Sequence, residues 1–399
     1  MMIRISLSII VVLLISTVSI NYGSVDPLKN DQSGQTKWSV RMANSVMLRA
    51  DSLIHHLGIT NPKWSYDVAL LGLAIDKLGS VDPRFSDYME DWVNYFVNED
   101  GTVKDYNPEE YNLDRIFPAN NILTLYKRKE NPVYKVALER FVNQMETHPK
   151  THSGGYWHKK IYPWQMWLDG IFMASPYLTR YAGEFNQPKW YDIVTFQIKH
   201  IYAKTVDEKT GLMVHAWDES HSQKWCDPLT GKSHYPWSRS MGWYTMAILS
   251  VLDNLPQNHP DRDSLILILQ TTCDALLKVS DPKTGLYYQV LDQGTRPGNY
   301  LEGSGSAMFT YVFARGAHKG YLDKKYLGIA NRNFDNIIKE FIRVDNNGLV
   351  SMINICAVGG LGGNPYRDGS YEYYINEKRQ DNDPKGVAPF ILAALELGR

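Results

Sequence analysis

The stretch Val206-Asp-Glu-Lys-Thr-Gly-Leu212 closes one long helical pattern, and the chain repeats it as Ser280-Asp-Pro-Lys-Thr-Gly-Leu286 and Val344-Asp-Asn-Asn-Gly-Leu349. Two degenerate copies are Glu99-Asp-Gly-Thr-Val103 and Ser153-Gly-Gly-Tyr156. The repeated glycines therefore stand at positions 101, 155, 211, 285 and 348, with one helical hairpin and a decorated loop between neighbours. Because five turns separate six segments, the repeat predicts six hairpins.

Between these turns, apolar residues recur at the spacing of amphipathic helices. Val68, Leu71, Ile75 and Leu78 form one such stripe, and strand-like alternation is scarce. We therefore predict twelve helices, over 38–57, 64–78, 84–97, 113–127, 132–146, 163–181, 188–203, 238–255, 261–279, 305–318, 324–341 and 385–397.

Six successive hairpins can bury their apolar stripes as an open superhelix or as a closed ring with an inner and an outer layer. An open superhelix would repeat its loops uniformly, whereas these loops are long, aromatic and individual, as expected of loops that wall a pocket. We therefore predict a closed, all-α, two-layered ring that forms a single domain over residues 38–399.

The first 24 residues have the pattern of a secretory signal peptide. Arg4 supplies a positive charge, and residues 5–18 are rich in Ile, Val, Leu and Ser. An uncleaved membrane anchor is the alternative, but the run is interrupted by serines and short for a bilayer. We expect residues 25–37 to be a polar leader. The prediction is an exported protein of the periplasm with no membrane attachment after cleavage; outright secretion stays open.

The composition excludes several partners. Lys and Arg total 42 against 43 Asp and Glu, for a net charge of −1, so we expect no basic face for nucleic acid. The three cysteines, Cys226, Cys273 and Cys356, lack metal-ligand or redox spacing, and no histidine pair has the spacing of a zinc site. We predict no metal and no other cofactor. The sequence leaves the oligomeric state open.

Aromatic residues cluster with polar ones in the loops, as in sugar-binding sites, where rings face apolar C–H surfaces. The chain has 11 Trp and 26 Tyr, and the alternative is that a large helical core simply uses many rings. The clusters lie at 156–159, 162–167, 215–218, 235–239 and 371–374. They favour a carbohydrate ligand.

Asp169 is the first candidate for a catalytic acid. It lies early in a helix that we expect Pro163 to start, with apolar neighbours on both sides. A capping or ion-paired Asp is the alternative. Asp114 is the second candidate, and its alternative role is an N-cap of the helix that follows. Further acidic candidates are Asp67, Asp218, Glu219, Asp227, Glu302 and Glu372, of which Glu302 also fits a cap.

His158, His215 and Arg239 each lie within an aromatic cluster. The histidines can bond hydroxyl groups or a carboxylate, and an arginine can hold a carboxylate with two parallel hydrogen bonds. A structural Arg–Asp pair is the alternative for Arg239.

Together these motifs resemble a known enzyme family. They are Gly155-Tyr-Trp-His-Lys159, Gln165-Met-Trp-Leu-Asp-Gly170, Gly211-Leu-Met-Val-His-Ala-Trp-Asp-Glu219, Trp237-Ser-Arg-Ser-Met-Gly-Trp243 and Gly303-Ser-Gly-Ser306. In this order and spacing, from about Trp38 to the C-terminus, the chain is similar to the unsaturated rhamnogalacturonyl hydrolases of glycoside hydrolase family 105.

The resemblance implies a single (α/α)6 barrel and a substrate left by a polysaccharide lyase, an oligosaccharide that ends in a 4,5-unsaturated uronic acid. It implies that an acid protonates C4 of the ring double bond and that water adds at C5. Asp169 matches the family's acid/base and Asp114 its second Asp. The positions that line the unsaturated sugar are Tyr66, His158, Trp167, His215, Arg239 and Trp243, with Lys159 adjacent.

The chain departs from the family pattern at Ser65, where relatives have a histidine, and in a longer glycine-rich stretch over Gly359–Ser370. Two other functions remain open at this point. One is a conventional inverting glycosidase on the same barrel, with two carboxylates flanking an anomeric carbon. The other is a glycan-binding protein without catalytic activity.

Overall fold

The structure, a computed structural model, describes residues 36–399; the predicted signal peptide and most of the predicted leader lie outside this range. The described part contains thirteen α-helices, α1 to α13, over Trp38–Arg49, Tyr66–Asp76, Arg84–Phe96, Ala119–Lys129, Pro132–Thr147, Leu168–Glu184, Lys189–Thr205, Ser238–Asn254, Arg262–Val279, Gly303–His318, Lys325–Phe341, Tyr371–Asn376 and Pro384–Glu396. Four short strands, β1 to β4, cover Gln165–Trp167, Ala216–Asp218, Ile342–Val344 and Val350–Met352.

Six of these helices form a closed inner ring. The helices α2, α4, α6, α8, α10 and α13 contact one another in that order, and α13 returns to α2. The helices α1, α3, α5, α7, α9 and α11 pack outside them, each against an inner neighbour. This is an (α/α)6 barrel, and it confirms the predicted closed ring.

The burial pattern follows from these two layers. Nearly every residue of α6, α8, α10 and α13 is buried, including their small and polar members, because each inner helix has neighbours on all sides. The outer helix α11 instead buries one stripe, made of Tyr326, Ala330, Phe334, Ile337 and Phe341 among others. No helix among the described residues is long and apolar enough to cross a membrane.

All twelve predicted helices are present, but three have an end displaced by five or more residues. The helix predicted over 38–57 ends at Arg49, and a 3₁₀ helix follows over Leu53–Gly58. The one predicted over 113–127 begins at Ala119, after a separate 3₁₀ turn over Leu113–Arg115. The short helix α12 was not predicted.

The third difference concerns the candidate acid. Pro163 does not start the helix that contains Asp169; that helix, α6, begins at Leu168. Trp164 has a left-handed backbone with φ 65°, and Gln165–Trp167 is extended because it pairs with the distant strand β2. The prediction was wrong here because periodicity reports only local contacts.

The repeated turns share one geometry. Gly211 N donates to Asp207 O and Gly285 N to Asp281 O, at 2.8 and 2.7 Å, and Gly348 N donates to Asp345 O in a turn one residue shorter. A positive φ of 71–80° at each turn explains the glycine at positions 101, 211, 285 and 348. In the copy near 155 the left-handed residue is Gly154 instead.

Candidate active site

The pairing of β1 with β2 brings His215 next to Asp169. Trp167 lies opposite Ala216 in the two-stranded sheet, and Leu168 N donates to His215 O at 3.0 Å. His215 Nε2 then lies 3.1 Å from Asp169 Oδ2, within ion-pair distance, although the two atoms are not aligned for a hydrogen bond. His215 Nδ1 shares a 2.8 Å hydrogen bond with the Tyr374 hydroxyl. The imidazole is therefore fixed between Asp169 and Tyr374.

Asp114 lies in the 3₁₀ turn Leu113–Arg115, where Asn112, and not Asp114, supplies the cap. Its carboxylate is free to reach Lys159 Nζ at 2.6 Å and His158 Nε2 at 3.5 Å. The capping alternative for Asp114 was therefore wrong. A hydrogen bond from Leu113 N to His158 O holds the two loops together.

The charges around Asp114 are well defined. Burial acts to raise the pKa of its carboxyl, but the Lys159 ammonium, with His158, holds that pKa below its ordinary value. Burial lowers the pKa of His158 to about 4 despite the nearby Asp114. At neutral pH the cluster therefore contains an anionic Asp114, a cationic Lys159 and a neutral His158.

Trp167 contacts both histidines that lie beside the two carboxylates. Its ring stacks on His158 with centroids 4.5 Å apart and on Tyr162 at 5.1 Å, and its edge meets His215 at 5.4 Å. Gly170 permits this packing, because a Cβ there would lie 3.1 Å from His158 Nδ1 and 3.0 Å from Leu113 Cδ1. The side chains of Asp114 and Asp169 remain 19% and 12% exposed, so neither is completely sealed from solvent.

Arg239 is almost fully buried near the start of α8, yet its charge has no carboxylate partner. Its Nη1 donates to Cys356 O, and its guanidinium lies 4.7 Å from the Trp237 ring centroid. Its Nε has no hydrogen-bond partner. Among the described residues no carboxylate lies within ion-pair distance of Arg239, so the structural Arg–Asp pair was wrong.

Tyr66 begins α2, and Trp243 lies behind it. The two rings meet edge to face at 5.9 Å, and Trp243 is fully buried against Phe172 at 4.7 Å. Burial, with the nearby carboxylates of Asp114, Asp67 and Asp169, raises the pKa of Tyr66 well above its ordinary value. Tyr66 is therefore a protonated phenol supported from behind by Trp243.

The other acidic candidates form helix caps, ion pairs and hydrogen bonds within the fold. Glu302 caps α10 through Ser304 N and Gly305 N, as one interpretation expected. Each of the remaining five has local partners: Asp67 pairs with Lys385, Asp218 accepts from Ser222 and Gln223, Glu219 accepts from Ser153, Asp227 closes a turn, and Glu372 pairs with Arg296.

Four residues near the site were not singled out individually from the sequence. Tyr374 and Trp237 contact His215, Tyr162 stacks on Trp167, and Cys356 accepts from Arg239. The first three lie within the aromatic clusters, which are the only sequence signal that could have found them. Within residues 36–399 no three His, Cys, Asp or Glu side chains converge in a way that could hold a metal ion.

The chain matches a family model and a solved structure along most of its length. The family model described as Glycosyl Hydrolase Family 88 matches residues 38–399. The chain belongs to this family. A solved Clostridium acetobutylicum glycoside hydrolase of family 105 is 39% identical, with a TM-score of 0.87 over 91% of this chain and 99% of that one. These findings confirm the resemblance seen in the motifs.

Two further proteins are similar to this family 88 chain, one in sequence and one in fold. An unsaturated 3S-rhamnoglycuronyl hydrolase of Formosa agariphila is 30% identical over 40% of this chain and 42% of its own length. The unsaturated glucuronyl hydrolase of Bacillus sp. GL1 is 13% identical, with a TM-score of 0.64 over 90% of this chain and 95% of that one, which shows the shared barrel. The family 88 chain is thus a glycoside hydrolase, and the non-catalytic alternative is wrong.

Proposed function

We propose that this enzyme removes a terminal 4,5-unsaturated uronic acid from lyase-generated oligosaccharides by hydrating the C4=C5 double bond. One observation carries the proposal: the largely buried Asp169 side chain, 12% exposed, lies beside His215 at the start of α6, and the ring of Trp167 contacts that histidine. A single positioned carboxylic acid suits a reaction that begins with proton transfer to carbon. The names of the family 105 and rhamnoglycuronyl hydrolase relatives agree with it.

The proposed chemistry consumes one water molecule. Asp169 gives its proton to C4, the π electrons form the new C4–H bond, and positive charge spreads over C5 and the ring oxygen. Water then bonds to C5 and returns a proton to Asp169. The C5 hemiketal opens to a ketone, and the hemiacetal left at C1 releases the next sugar as an alcohol.

Asp114 is proposed to stabilise that positive charge and to orient the sugar. The low pKa of Asp114 keeps it anionic, while the 2.6 Å contact with Lys159 fixes its position. An anion placed in advance where cationic charge develops lowers the barrier. Asp114 therefore needs no proton transfer of its own.

Arg239 is proposed to hold the carboxylate of the uronic acid. It is a buried cation with a free Nε and no carboxylate partner among the described residues, and a substrate carboxylate would supply the missing charge. His158, Lys159, Trp167, His215 and Tyr66 would surround the ring, and Trp243 would hold Tyr66 in place.

We further propose rhamnose as the neighbouring sugar, so that the substrate is the unsaturated rhamnogalacturonan disaccharide. The similarity to family 105 and to the Formosa agariphila enzyme supports this choice. The glycine-rich stretch 359–370 packs against Tyr162 and Trp167, since Arg367 donates to the Tyr162 hydroxyl at 2.8 Å and Leu361 packs with Trp167.

A panel of lyase products from pectin, ulvan-like and glucuronan-like polymers tests both parts of the proposal. Loss of absorbance from the conjugated double bond supports hydration, and the fastest loss with the rhamnose-linked disaccharide supports the substrate. Release of a saturated sugar with unchanged absorbance would instead indicate a conventional inverting glycosidase.

The cellular location is also a proposal. Residues 1–24 have the pattern of a signal peptide, and a periplasmic enzyme would receive oligosaccharides from a lyase. Fractionation of the expressing cells, with N-terminal sequencing of the mature chain, tests it; a cytoplasmic protein that retains Met1 would contradict it.

A further inference from the structure

The barrel has a second cavity at the end opposite to the active site. It has a volume of about 470 Å³ and is lined by the inward faces of all six inner helices, near the C-terminal ends of α2, α6, α8 and α10. We call it the distal cavity. Its size lies in the range of pockets that bind small molecules.

An aromatic stack separates the distal cavity from the active site. Phe117 and Phe172 line the cavity and stack with their centroids 4.7 Å apart. Phe172 stacks in turn on Trp243, which meets Tyr66 in the active site. The distal cavity is therefore a separate compartment, and its floor is apolar.

The walls of the distal cavity carry more positive than negative charge. Four cations line it, Lys77, Arg180, Arg315 and Lys319, against the two carboxylates Asp76 and Asp253. Both carboxylates are already paired: Asp76 receives two hydrogen bonds from Arg128, which is outside the lining, and Asp253 receives one from Arg315. Among the described residues, Lys77, Arg180 and Lys319 have no carboxylate within ion-pair distance, although Asp76 acts on Lys77 and Arg180 from further away.

Arg180 is the most deeply placed of these three cations. Its guanidinium donates only to neutral acceptors, the Asn120 backbone and side-chain oxygens at 3.1 and 3.0 Å and Thr124 Oγ1 at 2.9 Å. Burial lowers the pKa of Arg180 to about 10, which still leaves it charged at neutral pH. A buried cation without an anion is costly unless a ligand supplies the charge.

Lys77 lies at the exposed rim of the cavity, near Asp253 and Asp76 but not in contact with them. Burial, followed by the Arg315 and Arg180 guanidiniums, lowers its pKa. No carboxylate in the described part of the chain comes within ion-pair distance of Lys77, Arg180 or Lys319. Three like charges therefore face one cavity, and an anion there would relieve their repulsion.

We propose that the distal cavity is a second binding site for a small hydroxylated carboxylate of the hexuronate class. The cations would hold the carboxylate, and the ring of Tyr311, which is only partly buried, would face the apolar side of the sugar. Favourable contact between helix C-terminal ends and lysines is the competing explanation for Lys77. The first explanation requires an anion bound in the cavity, whereas the second does not.

The test uses labelled glucuronate in equilibrium dialysis against the full-length protein. We expect the wild type to bind one equivalent that Lys77→Glu binds about tenfold more weakly, because the variant brings a negative charge to the rim. Lys319→Glu should act in the same direction. Lys278→Glu is the matched control, since Lys278 is an exposed lysine in the last turn of α9 and does not line the distal cavity.

Hydrogen exchange locates the bound sugar. Glucuronate should slow exchange in peptides that cover 70–79 and 248–256, and neutral glucose should not. Turnover of unsaturated substrate by Lys77→Glu checks that the variant is folded and separates this site from the active site. Equal binding by Lys77→Glu and wild type, or protection confined to active-site peptides, would overturn the proposal.

Discussion

The two ends of the barrel differ in how their charged groups are partnered. At the active-site end, long loops bring Asp114 to Lys159 and Asp169 to His215, while the buried Arg239 has no carboxylate within ion-pair distance among the described residues. At the distal end the connections between helices are short, and Lys77 and Arg180 face a cavity whose two carboxylates, Asp76 and Asp253, are paired with other cations. The inner helices line both ends of the barrel, and the long loops place the candidate catalytic residues at only one of them.

The largest expected effect concerns Asp169. Asp169→Asn removes the proposed proton donor while keeping shape, so kcat should fall by about 10³-fold, within the range for general acid catalysis. The measurement is the rate at which alkene absorbance disappears. The control is Asp263→Asn, which changes an exposed first-turn Asp of α9 and should leave kcat unchanged. A fully active Asp169→Asn enzyme would remove Asp169 from the mechanism.

Arg239 should give the next largest effect. Arg239→Gln leaves the uronate carboxylate without a cation in a buried site, so kcat/KM should fall by about 100-fold. The methyl ester of the substrate supplies the control, because it lacks the charge that Arg239 would hold. Wild type and variant should process the ester at similar rates. If the variant loses as much activity on the ester as on the acid, Arg239 serves the structure and not the carboxylate.

Acid should destabilise the protein through buried histidines in the loops of the active-site end. The pKa of both His148 and His158 is lowered to about 4, chiefly by burial. Between the ordinary value near 6.5 and about 4, the unfolded chain binds protons that the folded chain does not. Stability is therefore complete above about pH 6.5 and falls by about 1.4 kcal/mol per pH unit for each histidine as the pH drops towards 4.

Thermal unfolding from pH 7 to pH 4.5 measures this effect. His148→Gln should flatten the dependence, since glutamine keeps a donor for the Trp157 carbonyl but does not titrate. The exposed His234→Gln is the control and should follow the wild type. An unchanged pH dependence of thermal unfolding in His148→Gln would show that protonation of His148 does not cause the loss of stability in acid.

The smallest effect is expected at Gly170. In Gly170→Ala the new methyl group presses on His158 and Leu113, which shifts the loop that carries Asp114, and kcat should fall about tenfold. Gly328→Ala in α11 is the matched control, because nothing lies within 4 Å of its new Cβ and alanine favours the helix. Equal kinetics in the two variants would show that the close approach at Gly170 does not position the site.

The sequence predicted the helices better than the long-range contacts between them. Periodicity found the outer helices because each buries one face at helical spacing, and the inner helices, although buried on nearly all sides, also carry apolar residues at that spacing, as Val68, Leu71 and Ile75 do in α2. It placed the start of α6 wrongly, since Gln165–Trp167 pairs with Ala216–Asp218, about fifty residues away. It also gave no reason to select Tyr374, whose hydrogen bond to His215 joins residues 159 positions apart. Local patterns do not contain such long-range contacts.

The most direct measurement of the central claim follows deuterium during turnover in D₂O. If Asp169 protonates carbon, the first product molecules should carry one deuterium at C4, placed on a single face, while product incubated alone in D₂O acquires it more slowly. Product without deuterium at C4, with solvent oxygen at the anomeric carbon and the double bond retained, would contradict the account.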